Sequence, residues 1–134
     1  MFLYLLNDTE GRAFMELAVQ AMRINGEEND CDKAEFETYL AELNLSDYKL
    51  VGLSFDEAIS AFKYSSIPVK RSVIIEICGI LYADKEIDSA EQKWINALAT
   101  KFQLSQNETD RLIRWSKDFS DFLDVGLMYI NAKE

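Results

Sequence analysis

The chain has 134 residues, 49% of them hydrophobic and 28% charged, enough for one domain that buries about two-thirds of its unfolded surface. Twenty-four acidic residues against 14 basic ones leave a net charge of −10, which excludes a basic footprint for nucleic acid or an anionic membrane. The absence of histidine excludes Ser–His–Asp and Cys–His catalysis, His-ligated zinc and Glu-x-x-His di-iron sites.

The opening Met1–Phe2–Leu3–Tyr4–Leu5–Leu6 is apolar but has no basic n-region and ends at Asn7–Asp8, so it does not read as a signal peptide. No stretch approaches the ~20 apolar residues of a membrane span. Cys31 and Cys78 form neither a CxxC pair nor a disulfide framework, and a cytoplasmic protein with reduced thiols is expected. Cys78, within Ile74–Ile75–Glu76–Ile77–Cys78, reads as a small buried hydrophobe, whereas Cys31 lies between Asp30 and Asp32.

Helical periodicity runs along the chain. Phe14, Leu17, Ala18, Ala21 and Met22 form a first stripe, and Phe36, Tyr39, Leu40 and Leu43 a second. Phe55, Ala58, Ile59 and Phe62 form a third. Val73, Ile74, Ile77, Cys78, Leu81 and Tyr82 form a fourth, and Ile95, Leu98, Ala99 and Phe102 a fifth. Capping-box spacing recurs at Asn7/Glu10, Asp32/Glu35, Ser54/Glu57, Ser89/Gln92 and Ser105/Glu108, and Pro68 suits a first helical turn. The run Val73–Ala83 is apolar nearly all round, as in the central helix of a bundle; its one charge, Glu76, is either a buried, partnered carboxylate or the edge of a polar seam. The last segment carries Trp115, Phe119, Phe122, Met128, Tyr129 and Ile130 and is expected to close the bundle, an exposed stripe being the alternative that would imply a partner or dimer.

The fold class is therefore all-α, a compact bundle of six to seven helices in one domain spanning 1–134. A shift of 59 positions sets Phe36 on Ile95, Tyr39 on Leu98, Leu43 on Phe102 and Leu45 on Leu104, and a shift of 60 sets Phe14 on Ile74 and Glu16 on Glu76. This points to an internal pseudo-two-fold repeat of helix–acidic loop–helix units, about 8–46 and 67–105, followed by a C-terminal segment over 106–132.

The two loops carry the chemistry worth weighing. Asn25–Gly26–Glu27–Glu28–Asn29–Asp30–Cys31–Asp32 and Asp84–Lys85–Glu86–Ile87–Asp88–Ser89–Ala90–Glu91 both place oxygen side chains at relative positions 1, 3, 5 and 8. Hard cations such as Ca²⁺ and Mg²⁺ take oxygen ligands. Asp84, Glu86, Asp88 and Glu91 form the stronger candidate metal set, and Glu27 with Asp32 a weaker counterpart in which amides replace two carboxylates. Neither loop is an EF-hand: the positions that need Gly and Glu hold Ser89 and Ile95 in one loop and Asp30 and Phe36 in the other. The competing reading is that these acids only cap helices and favour their dipoles.

The stretch Tyr82–Ala83–Asp84–Lys85–Glu86–Ile87–Asp88–Ser89–Ala90–Glu91, continued by Trp94 through the Leu104–Ser105 turn, resembles the tellurite-resistance TerB-like family, as does Phe2–Leu6 leading into Phe14–Ala18. The resemblance covers most of the chain and is weakest over 47–66 and 118–134. It implies an all-helical, internally repeated domain with an acidic surface suspected of binding divalent cations, and an association with bacterial stress responses; it does not imply an enzyme. Lys85 stands where the family usually has Gly, and Asn25 where an Asp precedes Gly26.

Residues 24–47 hold eight acids and one base, Lys33, whereas 58–75 hold Lys63, Lys70 and Arg71 and no acid. An acidic face suits cations or a basic partner, and otherwise only keeps the protein soluble. Two functional readings result. One is a non-enzymatic helical domain binding a divalent cation through its acidic loops. The alternative is a metal-independent protein–protein interaction module, including a homodimer, that uses the acidic face or the aromatic C-terminal helix. An enzyme is not expected: the only case for one is a carboxylate pair such as Glu16 and Glu76, with no nucleophile–base pair or phosphate-cradling loop beside it.

Overall fold

A computed structural model describes residues 1–26 and 30–133, apart from the side chain of Cys31. Six helices follow a short 3-10 turn at Leu3–Leu5: α1 Asp8–Met22, α2 Asp30–Glu42, α3 Phe55–Ser60, α4 Ile67–Leu81, α5 Ser89–Lys101 and α6 Gln106–Asn131. No strand occurs among the described residues, as the periodicity predicts.

Helix starts follow local side-chain chemistry. Asn7 with Glu10 and Ser54 with Glu57 form complete capping boxes, while Ser66 and Ser105 each cap through the hydroxyl oxygen. Two starts differ from expectation. Helix α5 is capped by Asp88 with Glu91 rather than Ser89 with Gln92, the carboxylate one residue earlier taking the Glu91 N–H at 2.8 Å. Helix α2 begins at Asp30, so Asp32 lies in its first turn and Glu35 accepts instead from the Tyr39 hydroxyl at 2.8 Å. Helices α2 and α5 end alike: Asn44 (φ 58°) and Gln103 (φ 64°) turn left-handed, and the N–H of Leu45 and of Leu104 reaches back to Leu40 and Ala99.

Helix α4 is the centre, packed by α1, α5, α6 and the N-terminal turn. Its near-uniform apolarity suits this, because most of its side chains meet another element. Val73, Ile74, Ile77 and Cys78 are fully buried, each large side chain contributing about 1.5–3 kcal/mol on removal from water. Phe14 meets Tyr39 edge to face at 5.6 Å, and Phe62 packs on Phe102 at 5.3 Å. Gly11 lets α1 approach the end of α2 closely: a Cβ there would stand 3.2 Å from the methyls of both Leu43 and Leu45. Burial pushes the Cys78 thiol up to about 12, as suits an inert core thiol.

Buried carboxylates fasten the irregular parts to this core. Glu16 on α1 accepts the Tyr48 hydroxyl at 2.6 Å and the N–H groups of Val51, Gly52 and Leu53 at 3.1, 3.0 and 2.9 Å. Gly52 has φ +79°, which glycine takes without strain, and this turn aims the three amides at one carboxylate. Glu76 is the buried, partnered carboxylate of the two alternatives, accepting the Phe2 N–H at 2.8 Å beside the Met1 ammonium at 3.2 Å. Glu10 accepts the Asn7 N–H at 2.9 Å and the Ser65 hydroxyl.

The C-terminal segment corrects one expectation. Thr109, Ile113 and Ser116 of α6 are buried, and Asp121 and Asp124 still bond to the body, but from Phe122 on the large apolar side chains are exposed. Phe122, Met128, Tyr129 and Ile130 are 70–80% exposed, so this end does not close the bundle. The apolar spacing of α6 continues past the last element of this chain able to cover it.

Candidate functional site

Helix α4 stops at Leu81, and the chain turns through a left-handed residue, Lys85 (φ +69°), whose N–H bonds to the Tyr82 carbonyl at 2.9 Å. Glycine adopts this conformation more readily. The lysine instead reaches α6: its ammonium donates to Ser120 Oγ at 2.6 Å and pairs with Asp124 at 2.5 Å and Asp121 at 3.5 Å. Those bonds hold its pKa above the ordinary lysine value.

Asp84 accepts the Glu86 N–H at 3.2 Å, an Asx-type turn that holds its carboxylate at the loop start. Asp88 is doubly engaged, with Oδ1 capping α5 through the Glu91 N–H and Oδ2 accepting from Asn25 Nδ2 at 2.5 Å. Asn25 belongs to the first loop, so this bond joins the two loops side by side. Between them lies a cleft of about 230 Å³ whose acidic lining is Asp32, Asp84 and Glu91, joined by Asn25, Met22 and Leu81.

Glu91 shows the local charge. Its carboxyl is held above the ordinary glutamate value, first by burial and then by the neighbouring charges of Asp88 and Asp84, although the Asp88 N–H pulls the other way.

Of the six candidate ligands, the structure brings Asp32, Asp84 and Glu91 to one cleft, with Asp88 beside it through Asn25. Glu86 is exposed and does not line the cleft, and Glu27 lies outside the described residues. Among the described residues, no group of three or more acidic or thiol side chains is arranged to hold a metal ion. The Asn25–Asp88 bridge has no signal in the loop spacing, which sets Asn25 against Asp84 rather than Asp88.

The Tellurite resistance protein TerB family matches residues 5–114. The chain belongs to the TerB family. No curated protein and no solved structure matches it. In this TerB-family chain the match spans the body and both acidic loops and stops one residue before Trp115, ahead of the exposed end of α6. No helix among the described residues is long and apolar enough to cross a membrane.

Proposed function

We propose that this TerB-family domain is a non-enzymatic, cytoplasmic module of a bacterial stress response of the tellurite-resistance kind, and that its acidic cleft takes up a hydrated Ca²⁺ or Mg²⁺. The observation that carries this reading is the meeting of Asp32 from the first loop with Asp84 and Glu91 from the second around one cleft. A hydrated ion fits this lining better than a caged one. Mg²⁺ in particular keeps several waters and binds through one or two carboxylates. Asp84 and Glu91 act as those ligands in this reading, and Asp32 and Asp88 add attraction across the water shell.

Thermal melting of chelator-stripped protein, titrated with Ca²⁺ and then Mg²⁺, tests it. Binding to the native state alone adds about 2.7 kcal/mol at a hundredfold excess over the dissociation constant. The expected result is a saturable rise in midpoint that disappears in the Asp84→Asn/Asp88→Asn double variant. Asn preserves both the Asx turn and the helix cap while removing charge. A flat response to both ions returns the loops to capping alone.

A second reading, an interaction module, is favoured by the exposed apolar end of α6.

A further inference from the structure

A groove of about 240 Å³ is lined by residues of the N-terminal turn region, α2, α4 and α6, and it shares no lining residue with the acidic cleft. Its lining mixes two chemistries. Phe2, Trp115 and Phe119 supply rings: Trp115 stacks on Phe119 with ring centres 5.2 Å apart and meets Phe2 at 5.9 Å. Trp115 is still 43% exposed, so packing within the chain leaves part of this aromatic surface open. Glu35 and Glu76 supply carboxylates.

Gly79 also lines the groove and leaves room in it. It is the one glycine of α4, where it costs helix stability relative to alanine. No close approach of another element calls for it, because a Cβ built there meets nothing within 4 Å.

The carboxylates are not balanced by the cation beside them. Glu35 accepts from the Tyr39 hydroxyl, a neutral donor, and Glu76 shares the Met1 ammonium with Glu42. Within this set one ammonium answers three carboxylates. Burial, followed by the charges of Glu35, Glu76 and Glu42, pushes the Tyr39 hydroxyl up. Burial, with the charges of Asp32 and Glu76, also holds the Glu35 carboxyl above its ordinary value, although the Tyr39 bond pulls the other way.

This combination selects an occupant. Two carboxylates disfavour an anion. Aromatic walls give no oxygen ligands to a hard metal ion, which surrounds itself with them. An organic cation suits both parts, since its charge meets the carboxylates and its carbon stem covers rings whose faces also attract positive charge. We propose that this groove binds a small organic amine, a primary ammonium on a short apolar stem, with Glu35 and Glu76 taking the ammonium and Phe2, Trp115 and Phe119 covering the stem. This site is independent of the divalent-cation reading of the acidic cleft.

The test is a titration of the metal-free full chain with n-hexylammonium chloride, followed by the indole N–H signals of its two tryptophans in proton–nitrogen correlation spectra. The Trp115 signal should move and saturate with a dissociation constant below about 1 mM. Trp94, which packs on Phe55 and does not line the groove, should stay in place. Neutral n-hexanol should bind at least about tenfold more weakly, and n-hexanoate should not bind, because the carboxylates reward only positive charge. Glu35→Gln keeps an acceptor for Tyr39 and should weaken hexylammonium binding about tenfold through loss of one charge-assisted bond. Gly79→Leu should abolish binding by filling the groove, while melting no lower than the wild-type protein, since leucine is the better helix former. No movement of Trp115 up to about 10 mM amine, far above the expected dissociation constant, overturns the site. Equal affinity for hexanol, or an unchanged affinity in Glu35→Gln, overturns recognition of the cation. Full binding by Gly79→Leu overturns this groove as its place.

Discussion

Glu16 and Glu91 are the same residue type in opposite situations. Glu16 lies on α1 with one hydroxyl and three backbone N–H groups aimed at its two oxygens. Glu91 lies in the first turn of α5, accepts the Asp88 N–H at 3.0 Å and stands beside the charges of Asp88 and Asp84. The contrast teaches that the donors around a carboxylate, rather than the carboxylate itself, decide its work. Surrounded by donors, it holds the fold together; crowded by other acids, it presents charge to solvent. Position along a helix does not foretell which, since both residues occupy helices with ordinary apolar stripes.

Removing Glu16 should produce the largest effect. Glu16→Ala leaves buried donors without an acceptor, and a loss of about 3 kcal/mol is expected in urea unfolding, within the range for breaking a buried, charge-assisted network. A loss below about 1 kcal/mol would mean that water replaces the carboxylate easily and that the contrast with Glu91 is weak.

Glu91→Gln should act in the opposite direction and be smaller. The folded-state pKa of Glu91 lies above its ordinary value of 4.5, so the native state holds this proton more tightly than the unfolded chain does. Native stability therefore suffers fully above the folded-state pKa and recovers as pH falls through it toward 4.5. Glutamine keeps an acceptor for the Asp88 N–H but carries no charge. In metal-free buffer the variant is expected to melt above the wild-type protein at neutral pH, with the difference closing at acidic pH. A wild-type protein that melts higher at neutral pH would show that the dipole of α5 outweighs the crowding.

The smallest effect concerns Lys85, which reaches from the crowded loop to α6. Lys85→Ala removes the ion pairs but keeps a side chain in a left-handed conformation, whereas Lys85→Gly removes both the pairs and the strain. The glycine variant is expected to melt above the alanine variant in differential scanning calorimetry. Equal midpoints would mean that the turn relaxes without cost.

The helices were legible in the sequence because apolar stripes at helical spacing coincide with capping residues, as at Asn7 before α1 and Ser54 before α3. Helix α4 was recognisable as the central one because only a helix surrounded on all sides is apolar all round. Less was legible where two residues compete for one role: Asp88 and Ser89 are adjacent capping types with a suitable acceptor three positions on, and the choice between them rests on loop geometry. The gathering of Asp32, Asp84 and Glu91 was half legible, since loop spacing marked the acids but not that Glu86 would be left out of the cleft lining. The partners of Glu16 were invisible, because residues 48–53 have no periodicity and bond across more than 30 positions. The exposed end of α6 misled for a physical reason. Periodicity reports that a face is apolar, and it does not report which molecule covers that face.

The Glu16 arrangement has a consequence for how the segment between α2 and α3 behaves. Three successive amides converging on an anion form the kind of nest that elsewhere captures free phosphates and carboxylates. In this protein the captured anion is covalently part of the same molecule, so it is present at an effective concentration that no solute matches. Residues 48–53 are thus a permanently loaded receptor, with α1 as its ligand. Their release leaves a buried carboxylate without its donors, and a stretch without regular structure is therefore tied to the core.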